Sequence, residues 1–251
     1  MQLSTLGNQQ TISSSLWPGL SEGVSPSIAD RTIYFALKRC IDIVGATVLI
    51  LLLSPLLILI AILIKLETPG PVLFVQERIG SKRCYRNGKV VWQIQKFQFY
   101  KFRSMFRDAD PSLHVAYIRA FVRNQAEKSP DHDACFKLVN DHRITRIGRI
   151  LRRTSLDELA QLLNVLKGEM SLVGPRPVPE YEVTEYEPHH WKRLAALPGI
   201  TGLWQIKGRG QVSFEEMIQM DLEYVRAQSF WLDAKIILGT IPAVLLGKGA
   251  R

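Results

Sequence analysis

The sequence predicts an α+β chain, mostly helical, with one membrane-embedded helix, a small antiparallel β-hairpin and interfacial amphipathic helices. Three observations carry this expectation: an uncharged apolar run over 43–64, two alternating segments around an Asn-Gly pair, and helical spacing of apolar residues from Ile144 onward. The chain has 251 residues and a formal charge of +9, with 47% hydrophobic and 22% charged residues. That balance excludes disorder over the whole length. Cys40, Cys84 and Cys135 are too few and too scattered for a disulfide framework or a thiolate zinc site, which fits a reducing compartment. The basic excess points to phosphate-bearing partners.

Residues 1–30 hold no Lys or Arg and are rich in Ser, Gly and Pro, so they read as a flexible tail and not a signal peptide. The run 43–64 is 22 residues without a charge, 16 of them Leu, Ile or Val. Those 16 favour membrane insertion by roughly 5–10 kcal/mol. Arg31, Lys38 and Arg39 precede the run, and Lys65, Arg78, Lys82 and Arg83 follow it, so the flanking charge gives no orientation. Ser54-Pro55 sits in its middle, where Pro removes a backbone donor and Ser can satisfy the freed carbonyl. Half-helices of about 11 residues reach only about half the hydrocarbon core. The expectation is a re-entrant helical hairpin over 31–68, turning at Ser54-Pro55, with a cytosolic, membrane-associated domain over 69–251.

Strands are expected over 72–76 and 90–99, joined around Arg86-Asn87-Gly88. A bulge is expected where the alternation changes phase between Trp92/Ile94 and Phe97/Phe99. The stretch 111–137 reads as helix then loop, with helices over 157–166 and 214–227. The segment 231–246 carries Asp233, Lys235 and Pro242, too charged and short to span, and is expected to lie in the interface.

Chemistry concentrates in basic stretches. Seven basic and no acidic residues lie between Lys82 and Arg103, and five arginines lie over 142–153, with Arg143, Arg146, Arg149 and Arg152 three apart. No nucleic-acid module is present, and the basic clusters flank a membrane segment, so no nucleic-acid partner is expected; an anionic membrane surface is. Thr154-Ser155-Leu156-Asp157-Glu158 follows. Ser155 and Glu158 have capping-box spacing, with Leu156, Leu159, Leu162, Leu163 and Leu166 as a buried stripe. An ionised carboxylate at a helix start crowded by arginines can attack phosphorus or hold Mg²⁺. Arg176 stands between Pro175 and Pro177, a stiff loop suited to bidentate phosphate recognition, and Arg209 lies in a second tight basic loop, Gly208-Arg209-Gly210. None of the five histidines has metal-ligand spacing, and His189-His190 are expected to face solvent.

Together these residues resemble the bacterial sugar transferases of polysaccharide biosynthesis, the monotopic polyprenyl-phosphate hexose-1-phosphate transferases. The matching stretches include Lys38-Arg39 with Asp42, Ser54-Pro55, Pro69-Gly70-Pro71-Val72-Leu73-Phe74, Arg78-Ile79-Gly80, Lys101-Phe102-Arg103-Ser104-Met105, the run from Arg152 to Glu158, Val173-Gly174-Pro175-Arg176-Pro177, Pro198 to Gln205, and Asp221 with Tyr224. The resemblance covers the chain from about residue 35 onward. It implies a re-entrant membrane helix bent at the Ser-Pro pair, a cytosolic active site at the bacterial inner membrane, an Asp-Glu dyad, Mg²⁺ and a nucleotide-sugar donor. The implied reaction moves a hexose-1-phosphate from a UDP-sugar to polyprenyl phosphate with release of UMP, the first membrane step of exopolysaccharide or O-antigen synthesis. Asp157 is then the nucleophile and Mg²⁺ ligand, and Glu158 positions metal or proton. Arg176 and Arg209 are candidates for the donor phosphates, and Arg103 and Arg152 for the acceptor phosphate. Ala160 and His142 stand where the family often has proline. About seven extra residues precede Lys101, and 110–137 is longer than in minimal members. No bundle of membrane helices precedes the matched region, so the resemblance is to the catalytic core. The extra residues at 93–99 and 110–137 are candidate self-association surfaces. Two other classes share parts of the pattern: a membrane phosphatase with an aspartyl-phosphate, and a non-catalytic membrane-anchored scaffold.

Overall fold

The computed structural model describes residues 31–86, 89–123, 141–208 and 212–245. Helix α1 (Thr32–Glu67) is followed by strands β1 (Leu73–Arg86) and β2 (Lys89–Phe102), and helices α2 (Ser112–Val122) and α3 (Arg146–Thr154). A 3-10 segment (Leu156–Gln161) leads into α4 (Leu162–Lys167), β3 (Ser171–Val173), α5 (Glu180–Val183), a second 3-10 segment (His190–Leu194) and β4 (Gly199–Thr201). Helices α6 (Leu203–Lys207), α7 (Phe214–Ala227) and α8 (Phe230–Leu245) follow. The mostly helical α+β expectation is met.

Helix α1 is long and apolar enough to cross a membrane, and the chain is membrane-associated. α1 stays helical through Ser54-Pro55, the place expected for its turn, and both halves pack on the same segment, Ala46 with Leu162 and Ile60 with Ala160. Pro55 has no N–H to give Leu51, and the Ser54 hydroxyl donates to that same Leu51 carbonyl at 2.8 Å. The freed acceptor is satisfied within the helix, so the helix need not end there. Its buried residues are Tyr34, Lys38, Asp42 and Ala46 in the first half and Ile60 and Ile64 in the second, with none between.

Both ends are bolted to the same domain. Lys38 pairs with Asp233 of α8 at 2.7 Å and donates to the Val173 carbonyl at 3.1 Å. Arg39 donates to the last carbonyls of α4, Val165 at 2.5 Å and Leu166 at 2.8 Å. Asp42 accepts from the Ser171 hydroxyl and the Leu172 amide. At the other end, Ile60 and Ile64 pack with Phe102, Leu151 and Ala160, each full burial worth about 1.5–3 kcal/mol. The Glu67 carboxylate accepts from the amides of Arg146 and Ile147, opening α3.

β1 and β2 pair antiparallel from Leu73↔Phe102 to Arg86↔Lys89 without a register change, so the expected bulge is absent. The alternation changes phase because the hairpin is covered on different faces along its length. Trp92 and Ile94 bury one face against Val173 and Ala195, and against Val178 and Val183, respectively. Phe97 and Phe99 bury the other against Ala46, Val165 and Met170, so this part of the extra segment is core, not a self-association surface. The strands also run longer than expected, to Arg86 and Phe102; Asn87 and Gly88 lie outside the described residues. α8 is not simply interfacial. Ile236 and Asp233 are buried, while Trp231, Leu238 and Ile241 are exposed, so one face packs on the domain and the other is open.

Candidate active site

Thr145 caps α3, its hydroxyl accepting from the Gly148 amide at 2.9 Å. A Cβ on Gly148 would collide with the Ser104 carbonyl, so glycine permits the close approach of α3 to the end of β2. Ser155 then adopts φ 57°, an uncommon left-handed conformation for a non-glycine residue. That residue ends α3 and starts the 3-10 segment carrying Asp157 and Glu158. The expected capping box does not form. Ser155 makes no side-chain cap bond to the 3-10 segment, and the Glu158 backbone amide donates to the Ser155 carbonyl at 3.2 Å. The six-residue 3-10 segment replaces the expected α-helical start at 157, so nearby cations replace a helix dipole as the anion-attracting element. Of the expected leucine stripe, Leu156, Leu159, Leu162 and Leu166 pack inward and Leu163 is exposed.

The Glu158 side chain is withdrawn into a cationic cradle. Lys101 of β2 donates to Oε1 at 2.9 Å; Arg176 donates to Oε1 at 2.7 Å and to Oε2 at 3.3 Å. Burial pushes this carboxyl up, but Arg176 and Lys101 together hold it well below the usual carboxylate range. Asp157 is engaged more lightly: Lys101 lies 3.6 Å from Oδ2, and among the described residues its side chain makes no hydrogen bond. The Arg152 guanidinium is lowered by burial, with Asp157 the largest opposing influence, and pairs with no carboxylate among the described residues.

Arg176 is set by backbone. A Cβ on either Gly174 or Gly199 would collide with backbone of the neighbouring strand segment, so two glycines let the loop and β4 meet. Gly174 N–H donates to Thr201 O, Gly199 N–H to Pro175 O, and Ile79 N–H to Val178 O, clamping the Pro175-Arg176-Pro177 loop between β4 and β1. Arg193 adds a third support, donating to the Arg176 carbonyl at 3.3 Å while fixed by Asp221, Glu182 and Tyr186.

An acid held by two cations beside a second, less engaged acid suits phosphoryl chemistry. The comparisons agree. The family model for bacterial sugar transferase matches residues 33–247. The chain belongs to that family. It is 43% identical over 215 residues to the galactosyl transferase CpsE of Streptococcus agalactiae, covering 85% of this chain and 43% of that protein. It is 42% identical over 213 residues to the exopolysaccharide production protein ExoY of Rhizobium meliloti, covering 85% of this chain and 87% of that protein. It is also 40% identical over 217 residues to a UDP-glucose:undecaprenyl-phosphate glucose-1-phosphate transferase of Caulobacter vibrioides, covering 83% of this chain and 69% of that protein. The chain therefore spans less than half of the Streptococcus relative and most of the Rhizobium one.

In this sugar transferase, Asp157, Glu158, Arg152 and Arg176 gather at one site as expected from sequence. Arg103 does not join them. Its guanidinium donates to the carbonyls of Pro69 and Thr68, each at 2.7 Å, and to the Thr68 hydroxyl at 2.8 Å, which caps the C-terminus of α1 instead of offering a phosphate site. Arg143 leaves the expected arginine stripe too, paired with Asp141 at 2.7 Å. Arg209 and Cys135 lie outside the described residues. Sequence reading missed Lys101 as a site residue, although it stood in a quoted motif two positions before Arg103. It also missed Arg193, whose buried role no local pattern reveals.

His190 is buried, not solvent-facing: its Nδ1 accepts from the Glu187 amide at 2.9 Å and its Nε2 lies 3.2 Å from Glu215. Glu187, His189 and His190 bring ligand atoms within 4.8 Å of one another despite lacking a ligand spacing. The amide on Nδ1 leaves the imidazole proton on Nε2, so neither nitrogen of neutral His190 has a free lone pair for a metal.

Proposed function

We propose that this chain transfers a hexose-1-phosphate from a UDP-sugar to polyprenyl phosphate, releasing UMP, in the first membrane step of exopolysaccharide or O-antigen synthesis. The observation that carries the reading is the asymmetry of the dyad. Glu158 is immobilised on both oxygens, whereas among the described residues the Asp157 side chain makes no hydrogen bond and the neighbouring Arg152 pairs with no carboxylate. An Asp157 oxygen attacks the phosphorus that bears the hexose, and the bond from that phosphorus to the bridging oxygen breaks. UMP departs with the bridging oxygen and its electron pair. A polyprenyl phosphate oxygen then attacks the same phosphorus and returns the carboxylate. A covalent intermediate lets a water-soluble donor and a lipid acceptor use one site in turn. Arg152 and Arg176 offer charge to the phosphates, and Lys101 holds the two carboxylates in register.

The donor set fits Mg²⁺, which takes one or two carboxylates plus phosphate oxygens, and Asp157 is the carboxylate free to hold it. When bound, the ion supplies neutralisation of the charge on the diphosphate. The name of the Caulobacter relative supports the same class of acceptor for this chain. We further propose that the catalytic domain lies on the cytoplasmic face of the inner membrane, with both flanks of α1 on that face. Anchoring of α1 to one domain at both ends, with its middle unburied, supports this arrangement.

Purified protein incubated with a panel of UDP-sugars and polyprenyl phosphate is expected to release UMP. Free phosphate instead of UMP assigns a phosphatase, and neither product assigns a scaffold. In spheroplasts, a membrane-impermeant thiol reagent is expected to reach neither Cys40 nor Cys84; labelling of Cys40 alone means a straight span.

A further inference from the structure

We infer that α2 completes the donor site: His114, with Tyr181 and Arg78, forms the subsite for the nucleotide half of the UDP-sugar. This rests on the proposed donor and adds the residues that recognise its uridine phosphate.

The three residues come from three elements that meet beside the dyad. The His114 ring of α2 meets the Tyr181 ring of α5 edge to face, with centroids 6.2 Å apart. The Tyr181 phenol lies near Gln76 of β1 and is pushed up mainly by burial. Arg78, two residues further along β1, donates to the Pro177 carbonyl at 3.3 Å and lies over the Phe99 ring at 5.2 Å. Arg78 and Arg176 thus flank the same Pro177, on the loop that delivers Arg176 to Glu158.

Their chemistry matches one half of the donor. Lys101 and Arg176 are neutralised by Glu158, but Arg78 pairs with no carboxylate among the described residues, and its buried Nε has no hydrogen-bond partner. A buried guanidinium in no direct ion pair, with a donor still unused, suits a phosphate. His114 is faced by Arg78 of β1, Arg152 of α3, Lys101 of β2 and Arg143, and burial with these four cations pushes it down to about 4. It is therefore a neutral ring at neutral pH, with one donor and one acceptor. A flat, neutral, polar-edged ring beside a phenol suits a pyrimidine, whose faces stack and whose imide edge hydrogen-bonds. A hexose, hydroxylated all round, asks for carboxylates; the nearby Glu182 is committed to Tyr186 and Arg193. A polyprenyl chain offers nothing for either ring to recognise.

The test measures binding of UMP and of uridine to purified full-length protein by equilibrium dialysis, together with KM for donor and acceptor. H114A is expected to weaken both UMP and uridine about tenfold, equivalent to about 1.4 kcal/mol. H114F, which keeps a ring, is expected to stay within about threefold of wild type, since stacking tolerates a change of ring. R78M should weaken UMP and leave uridine unchanged. The acceptor KM should not move in any variant. Unaltered UMP and uridine binding in H114A, or a shift confined to the acceptor KM, overturns the assignment. A rise in donor KM with UMP binding intact also overturns it, because the rings then read the sugar. Wild-type protein that binds UMP but releases none from any UDP-sugar separates failure of the activity from failure of this subsite.

Discussion

Two acid-base clusters lie on either side of the Arg176 loop, built from the same residue types and put to opposite uses. In the outer one, Lys101, Glu158 and Arg176 keep 19%, 17% and 28% of their side-chain surface exposed, and beside them Arg152 and Arg78 pair with no carboxylate among the described residues. In the inner one, Arg193 and Asp221 are each 1% exposed, and Arg193 is further tied to Glu182, Tyr186 and the Arg176 carbonyl. The outer cluster carries more cations than its carboxylates neutralise, and so awaits an anion. The inner cluster spends its charge on itself and holds the loop on which the outer one depends. An unmatched charge near solvent marks a binding function, and a matched charge in the core marks a positioning one.

The largest expected effect separates the two outright. D157N should abolish exchange of label between UMP and UDP-sugar in the absence of lipid, a loss of at least about 10³-fold, with the thermal midpoint unchanged. Exchange that appears only with polyprenyl phosphate bound would reduce Asp157 to a metal ligand in a single displacement. R193M should do the reverse. It strands Asp221 and Glu182 in the core at a cost of about 3–5 kcal/mol, read as a fall of roughly 10 °C in thermal midpoint. A stable R193M protein with lost activity would make the inner cluster catalytic. A smaller contrast pits two arginines of the same sequence neighbourhood. R103M should lose about 2–3 kcal/mol of stability by uncapping α1, and R152M should slow turnover at unchanged stability. The smallest effect is in pH dependence. His114 is depressed to about 4 from an ordinary value of 6.5, so the unfolded chain binds the extra proton between those values. Stability should therefore fall as pH drops from about 7 to about 4, and H114F should lessen that fall in thermal scans.

The amino-acid sequence alone determined the features that depend on local pattern. Sixteen aliphatic residues without a charge are enough to make α1, because apolar transfer energy adds residue by residue. Asn87-Gly88 between alternating segments is enough to place a hairpin, and the run from Arg152 to Glu158 is enough to set arginines beside an Asp-Glu pair. What only the tertiary structure decided is where each long side chain ends. An arginine can turn its donors toward a backbone carbonyl, a carboxylate or solvent, and nothing in the sequence around Arg103, Arg152 or Arg193 distinguishes a helix cap from a phosphate site or a buried clamp. The phase change in β2 reads as a bulge until α1, α4 and the 178–183 region cover the hairpin on different faces. Ser54-Pro55 marks where the helical ladder loses a donor, and only the structure shows the Ser54 hydroxyl taking its place. In each case the local signal was present, and its meaning was set by which partner, distant in sequence, offered the better hydrogen bond or the drier surface.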